Sequence, residues 1–261
     1  LNGSSKSIKS KVANSKDFFS DNTAEGSVYR NAFESLINAQ VIEVFPNWET
    51  LAAVGKAGQV ADGSSTRYVS GNGVEYNQLV AKGLIGALML DQINNNYLGT
   101  AVQDEADNRA NNEAAVLEEG KNYTTMEHKW DEAFGYLFGA APDGANALAT
   151  VGSDDKFLNE YLGKVDQDAD FAEIAEVVFD AFKLGRAAIV AQDYVLRDEQ
   201  VAIIRENLSK VIAIRGVYYL QSGKNKILDG NRTGSFHALS EAFGFVSSLR
   251  FTRLPASKES Y

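Results

Sequence analysis

The sequence predicts an all-α protein, a duplicated helical bundle of two similar helical units with one long loop rich in glycine and serine. Apolar residues recur at spacings of three and four over long stretches, which is typical of helices packed on a core. Proline occurs only three times in 261 residues, so few positions interrupt a helix. A nine-residue pattern that contains a histidine also occurs twice, which indicates an internal repeat.

The first half of the chain contains two predicted long helices separated by the loop. Residues 27–44 place their apolar side chains on one stripe, and Pro46 ends the pattern. Residues 47–73 are rich in glycine and serine and are predicted as a long ordered loop with a short hairpin at 67–69. Residues 74–97 are apolar almost all round, which indicates a central, buried helix.

The second half contains four predicted helices, at 154–164, 170–194, 197–221 and 233–251. The third is predicted to begin beside Asp198, because a carboxylate stabilises the positive end of a helix. A turn-prone stretch of small residues at 139–155 separates the two halves. We therefore expect one helical domain over residues 1–261, made of a first unit at 1–150 and a second at 151–261.

Composition excludes several classes of function. The chain has 25 basic and 35 acidic residues, a net charge of −10, which disfavours nucleic acid as a partner and favours cations. With no cysteine and only two histidines, it cannot form disulfides, iron–sulfur clusters or three-histidine metal sites. No apolar run reaches the roughly 20 residues of a membrane span. The chain starts at Leu1 rather than Met, which leaves room for a preceding signal peptide or lipid anchor.

The repeated pattern contains both histidines of the protein. The segments EHKWDEAFGYLFG at 127–139 and FHALSEAFGFVSS at 236–248 share the pattern H-x-x-x-E-A-F-G followed by an aromatic residue. At 100° per residue, each helix presents one face that carries a histidine, a glutamate and two small residues. These faces are His128, Glu132, Gly135 and Gly139 in the first copy, and His237, Glu241, Gly244 and Ser248 in the second.

Three interpretations of these faces remain open. A histidine and a glutamate one turn apart can lock a bundle by hydrogen bonding, or can simply face solvent. Alternatively, a neutral imidazole and carboxylates can bind a borderline cation such as iron, zinc or copper. The first copy has an additional carboxylate, Asp131, where the second has Ser240. The candidate metal-ligating residues are therefore His128, Asp131, Glu132, His237 and Glu241.

The chain contains the segments EYNQLVAKGLIGALMLDQ, GKNYTTMEHKWDEAFGYLFG and FHALSEAFGFVSSLRFTR. These and other segments resemble a family of bacterial envelope proteins, domain-of-unknown-function family 4856, and the similarity extends over nearly the whole chain. Its members are typically exported, often as lipoproteins. The resemblance therefore implies a location in the periplasm, or at the outer membrane or cell surface, of a Gram-negative bacterium.

The chain is more distantly similar to the imelysin group, peptidase M75-like proteins associated with bacterial iron acquisition. Those proteins are helical and internally duplicated, and they carry an H-x-x-E motif. In this chain the glutamate follows each histidine by four residues, and Asp131 is the carboxylate three residues after His128. In the second copy, Ser240 stands three residues after His237, so this copy lacks a carboxylate at the position of the motif's glutamate.

These resemblances lead to a functional prediction. We expect a cell-envelope protein that binds iron, another divalent or ferric cation, or an iron-containing small ligand. One alternative is a metal-dependent hydrolase with Glu132 as general base, and another is a non-catalytic surface module that binds a polypeptide or a glycan. A role without catalysis is favoured, because one histidine with carboxylates does not complete a zinc peptidase site.

Overall fold

A computed structural model describes residues 7–20 and 22–253, and this part of the chain is mostly helical. The α-helices are α1 (Ile8–Lys11), α2 (Lys16–Phe19), α3 (Thr23–Ala39), α4 (Tyr76–Leu84), α5 (Thr100–Gln103), α6 (Asn108–Glu113), α7 (Thr125–Phe138), α8 (Leu158–Asp166), α9 (Ile174–Val190), α10 (Tyr194–Leu228) and α11 (Arg232–Ser248). The all-α prediction is confirmed, with one antiparallel hairpin of β1 (Gly58–Asp62) and β2 (Ser65–Val69) as the exception.

The predicted central helix lies in the middle of the fold. Helix α4 continues directly into a π-helical segment, Ile85–Tyr97, so that residues 76–97 form one rod. Ile85, Leu90 and Ile93 on this rod have no solvent exposure, as the apolar sequence predicts. Helices α7, α10 and α11 all pack against it, which makes it the scaffold for the candidate site.

Helix α3 is observed, but its predicted apolar stripe is not buried as a whole. The helix ends in a π-helical turn, Gln40–Val44, before Pro46. Val44 is buried, whereas Val28 is 66% exposed and Ile37 is 52% exposed. Because α3 packs mainly on α4, only part of its apolar surface is covered by a neighbouring element.

The glycine-rich segment contains more regular structure than the sequence predicts. The hairpin runs from Gly58 to Val69, whereas the sequence predicts only a short one at 67–69. Gly63 adopts a positive φ of 59° in the tight turn, a conformation that glycine adopts without strain. The glycine and serine content of this segment predicts turns, but it does not predict the pairing strand at 58–62.

The long helix α10 begins earlier than its predicted start. Asp193 is its N-cap, and the Asp193 carboxylate accepts a hydrogen bond from the Leu196 backbone N–H at 3.0 Å. Asp198 instead lies inside the helix and pairs with Arg197 at 2.8 Å. Both carboxylates satisfy the sequence rule for a helix start, and the capping hydrogen bond distinguishes them.

One hydrophobic core extends through both predicted units. It includes side chains from Val12 to Phe251, with α7 packed on residues 85–97 and on α9, and α11 packed on α10 and α4. The two histidine-bearing helices therefore have different main partners, and the duplication stays a prediction. In the described part of the chain, no helix has the length and apolar character to cross a bilayer.

Candidate functional site

Helix α7 carries the first histidine and begins with a capping box. The Thr124 side chain accepts from the Glu127 backbone N–H, and the Glu127 carboxylate accepts from the Thr124 backbone N–H. The Arg186 guanidinium of α9 donates to Glu127 at 2.6 Å and to Asp131 at 3.0 Å. Asp131, expected as a metal ligand, is thus held in an ion pair between α7 and α9.

The pKa values of the two carboxyl groups that share Arg186 are shifted in opposite directions. Burial opposes ionisation of Glu127, but the Thr124 N–H and the Arg186 guanidinium outweigh it and lower the pKa of this carboxyl. For Asp131 burial is the larger effect, so its pKa is raised despite Arg186. Charging Asp131 therefore costs more than charging a free aspartate.

His128 and Glu132 lie one turn apart and contact each other. The His128 Nε2 atom is 3.5 Å from the Glu132 carboxylate, and the imidazole stacks on the Tyr123 ring with centroids 5.1 Å apart. Burial and a hydrogen bond to Glu132 raise the pKa of the Tyr97 hydroxyl, which also accepts a hydrogen bond from the Lys11 ammonium at 2.9 Å. Glu132 therefore joins the histidine to the end of the central rod.

Glu132 also lines an open cleft of about 540 Å³ at the C-terminal end of α7. The cleft is lined by Met89, Glu132, Gly135, Tyr136, Gly139, Ala140 and Asp155. Burial, followed by the charge of Glu132, raises the pKa of Tyr136 to about 12. Burial also raises the pKa of Asp155, whose carboxylate accepts a hydrogen bond from the Phe157 backbone N–H at 2.7 Å. Two carboxylates thus face one solvent-reachable space, which we call the acidic cleft.

The second histidine is enclosed between two carboxylates. His237 Nδ1 lies 3.0 Å from Glu75 at the start of α4, and Nε2 lies 3.3 Å from Glu241. Glu241 also lies 3.5 Å from the Lys82 ammonium. Because both ring nitrogens already face carboxylates, His237 in this arrangement joins α11 to α4.

The five predicted ligands therefore fall into three separate environments. Asp131 faces Arg186, whereas His128 and Glu132 pair beside the acidic cleft. Within the residues that the structure describes, no group of three or more His, Asp or Glu side chains is arranged to hold a metal ion. His237 and Glu241 contact each other in the second copy.

The small residues of the two copies also have different roles. A Cβ atom added to Gly244 would lie 2.4 Å from the Lys82 Cβ, so this glycine allows α11 to approach α4 closely. A Cβ added to Gly135 would meet no atom within 4 Å. Gly135 therefore leaves open space in the acidic cleft, while Gly244 serves helix packing.

The family assignment rests on a match over the full length of the chain. The family model "Domain of unknown function (DUF4856)" matches residues 1–261. The chain belongs to this family. Comparison with curated proteins and with solved structures found no match. The more distant similarity to the imelysin group therefore remains an expectation for this DUF4856 protein.

Sequence reasoning missed four residues of this DUF4856 protein that determine the environments of the predicted ligands. They are Glu75, Tyr97, Asp155 and Arg186. Glu75 stands 162 residues before its partner His237, and Arg186 stands 55 residues after Asp131. A single sequence carries no signal for such distant pairs. Asp155 alone had a local cue, since it lies in the first turn of the helix predicted at 154–164.

Proposed function

We propose that this DUF4856 protein binds a cation in the acidic cleft beside α7. The observation that carries the proposal is the composition of the cleft lining. Glu132 and Asp155 both face the cleft, and none of the residues that line it in the described chain is a lysine or an arginine. The two carboxylates therefore have no lysine or arginine beside them in the cleft wall.

The local electrostatics support a positively charged occupant. The cleft lies at the C-terminal end of α7, where the helix dipole adds partial negative charge. Asp154 and Glu160 add further negative charge near Asp155 and help to raise its pKa, after burial. A bound cation would relieve this cost of ionisation, because an opposite charge favours the carboxylate form.

The dimensions of the cleft favour a cation that keeps ligands of its own. A volume of about 540 Å³ far exceeds that of a bare ion, and the described side chains offer two carboxylates with a tyrosine and a methionine nearby. A hydrated divalent ion retains several waters when few protein oxygens bind it. A hydrated ion or an iron-containing small ligand therefore fits better than an ion held by protein atoms alone.

We infer that this binding takes place in the cell envelope of a Gram-negative bacterium, with a lipid anchor on the mature protein. The support is the resemblance to exported lipoproteins of the same family. Fractionation of the native bacterium, with metabolic labelling by a fatty acid, tests this inference. Recovery in the cytosol without lipid label would contradict it.

Calorimetric titration tests the binding proposal. The probes are magnesium, manganese, zinc, copper and ferric ion, the last supplied as its nitrilotriacetate complex. We expect saturable binding of at least one probe to the wild type and a tenfold or greater loss in Glu132→Gln and Asp155→Asn, since each removes one of the two carboxylates that line the cleft. Glu176→Gln, which alters an exposed carboxylate on α9, makes the same charge change away from the cleft and should bind normally.

Two outcomes would contradict the proposal. One is the absence of saturable binding for every probe. The other is equal loss of binding in Glu132→Gln and in the Glu176→Gln control, which would indicate a general effect of net charge. Retention of the wild-type melting temperature in the variants establishes that a loss of binding does not come from unfolding.

A further inference from the structure

A second cavity lies on the opposite side of α7 from the acidic cleft. It has a volume of about 350 Å³, within the usual range for small-molecule sites. It is lined by Trp130, Asp131, Phe134, Gly144, Ala145, Phe179, Phe182, Lys183 and Arg186. Aromatic rings form most of the inner wall, and the charged side chains lie on α7 and α9 at its edge. We call it the aromatic pocket.

The wall of the aromatic pocket is held in place by packing and hydrogen bonding. The Trp130 indole Nε1–H donates to the Phe182 carbonyl at 2.9 Å, and the two rings meet edge to face with centroids 6.0 Å apart. Phe134 stands 5.7 Å from Phe182 and 6.2 Å from Phe179. Trp130 also lies so close to Gly185 that a Cβ there would be 2.2 Å from the indole. The pocket is therefore preformed, which lowers the entropic cost of binding.

Two basic side chains with hydrogen-bond donors, Lys183 and Arg186, lie at the edge of the aromatic pocket. Arg186 uses Nε and Nη1 for Asp131 and Glu127, and among the described residues no hydrogen-bond partner is found for its Nη2 group. The Lys183 side chain is 62% exposed and lies 3.5 Å from Asp180. Both basic groups line the pocket, against one acidic group, Asp131, which is already paired.

We propose that the aromatic pocket binds a small carboxylic acid with an aromatic or other planar apolar body. The apolar body packs against Phe134 and Trp130, and its carboxylate accepts hydrogen bonds from Arg186 Nη2 and Lys183 Nζ. A guanidinium and an ammonium at the mouth of an apolar cavity are complementary to a carboxylate at one end of an apolar ligand. This inference does not depend on cation binding in the acidic cleft.

Trp130 provides a direct measurement of occupancy. The protein has two tryptophans, and Trp48 lies elsewhere with 55% exposure, so a Trp48→Phe background leaves Trp130 as the reporter. Titration with 2-naphthoate, 2-naphthalenemethanol and 2-naphthylmethylamine compares a carboxylate, a neutral group and a cation on one apolar body. We expect a saturable change in Trp130 fluorescence, with naphthoate bound about fivefold or more tightly than the alcohol and the amine bound weakest.

Variants locate the site and its charge preference. Ala145→Phe fills the exposed mouth and should abolish the fluorescence change. Lys183→Gln should remove most of the preference for naphthoate over the alcohol, whereas Lys224→Gln, which removes an exposed lysine from α10, should leave that preference unchanged. Both lysines are exposed, so neither change is expected to impair folding.

Three results would overturn the proposal. The first is the absence of a saturable change with any of the three probes. The second is equal or tighter binding of the amine, which would assign the pocket to cations. The third is unchanged naphthoate binding in Ala145→Phe, because the ligand would then occupy another place on the protein.

Discussion

Asp91 is the most completely enclosed carboxyl group among the residues that the structure describes as buried. It has no solvent exposure and lies on the central rod. Its oxygens accept hydrogen bonds from the backbone N–H groups of Asn14 and Ser15, both at 3.1 Å, from the Ser15 hydroxyl at 2.7 Å and from the Asn95 amide at 3.1 Å. Burial raises its pKa to about 6, although these four donors oppose the rise. This residue attaches the N-terminal segment to the core.

Asp91→Asn should destabilise the protein by about 2 kcal/mol at pH 7, because the amide nitrogen cannot accept the hydrogen bonds that the carboxylate oxygen it replaces accepts. The raised pKa also gives a pH dependence. Its contribution to stability is fully present below the unfolded value of 3.8 and is lost as pH rises through about 6. The deficit of the variant should therefore be larger near pH 4 than at pH 7, by up to about 3 kcal/mol.

Urea unfolding of the wild type and Asp91→Asn across this pH range measures both effects. Asp170→Asn, at an exposed position, is the matched control and should change the free energy of unfolding by less than about 0.5 kcal/mol. A deficit that grows as pH rises would show instead that the charged carboxylate favours the fold.

The two histidines should differ strongly in their effect on stability. His237→Ala should lower the free energy of unfolding by about 3 kcal/mol, because it leaves the buried Glu75 carboxylate without its partner. His128→Ala should cost less than about 1 kcal/mol, since its side chain is 36% exposed and its contact with Glu132 is long. Chemical denaturation of both variants measures the difference.

A further substitution tests whether the unpaired Glu75 carboxylate causes the loss of stability in His237→Ala. Adding Glu75→Gln to His237→Ala should restore part of the lost stability, because it removes the unpaired buried charge. Equal losses in the two histidine variants, or no recovery in the double variant, would contradict an ion-pair role for His237.

At the scale of elements, alanine substitutions at matching glycines of the two histidine-bearing helices should have opposite effects on stability. Gly244→Ala should destabilise by about 2 kcal/mol, because its Cβ would lie 2.4 Å from the Lys82 Cβ and force α11 away from α4. Gly135→Ala should stabilise by up to about 1 kcal/mol, since the space is open and alanine favours a helix. Melting temperatures measure both, and a change of the same sign in both variants would contradict this assignment.

The sequence predicts the positions of the helices more reliably than it predicts where each helix ends or which of its faces is buried. The central rod at 76–97 matches its predicted range of 74–97 closely, because a helix buried on all sides has an unmistakable composition. The apolar stripe of α3 is only partly buried, since Val28 and Ile37 are exposed. Periodicity identifies the face that could be buried, but a neighbouring element must be present to cover it.

At the scale of the whole molecule, the two predicted units should unfold together. The Trp130 indole hydrogen-bonds to Phe182, and the Asn159 amide donates to the Leu137 carbonyl at 3.2 Å, so polar contacts as well as the core join the two halves. In the Trp48→Phe background, Trp130 fluorescence, far-UV circular dichroism and calorimetry should report one coincident transition. Separate transitions would contradict a single domain over residues 1–261.

The sequence by itself determined the properties that depend on composition and local order. These are the helical class, the positions of the long helices, the net charge of −10 and the lack of any cysteine ligand. It also identified Glu132 as a candidate ligand, and this residue lines the acidic cleft. Such features follow from a repeat of 3.6 residues per turn and from residue types, neither of which requires knowledge of distant contacts.

Only the tertiary structure decided which partner each candidate residue has. Asp131 pairs with Arg186, His237 pairs with Glu75, and Glu132 and Asp155 both line the acidic cleft. Two equivalent positions of one repeated pattern thus have different chemistry, because α7 packs beside α9 and α11 packs on α4. Packing brings together residues far apart in the chain, and the charge and burial of those neighbours determine whether a carboxylate is paired, protonated or open to a ligand.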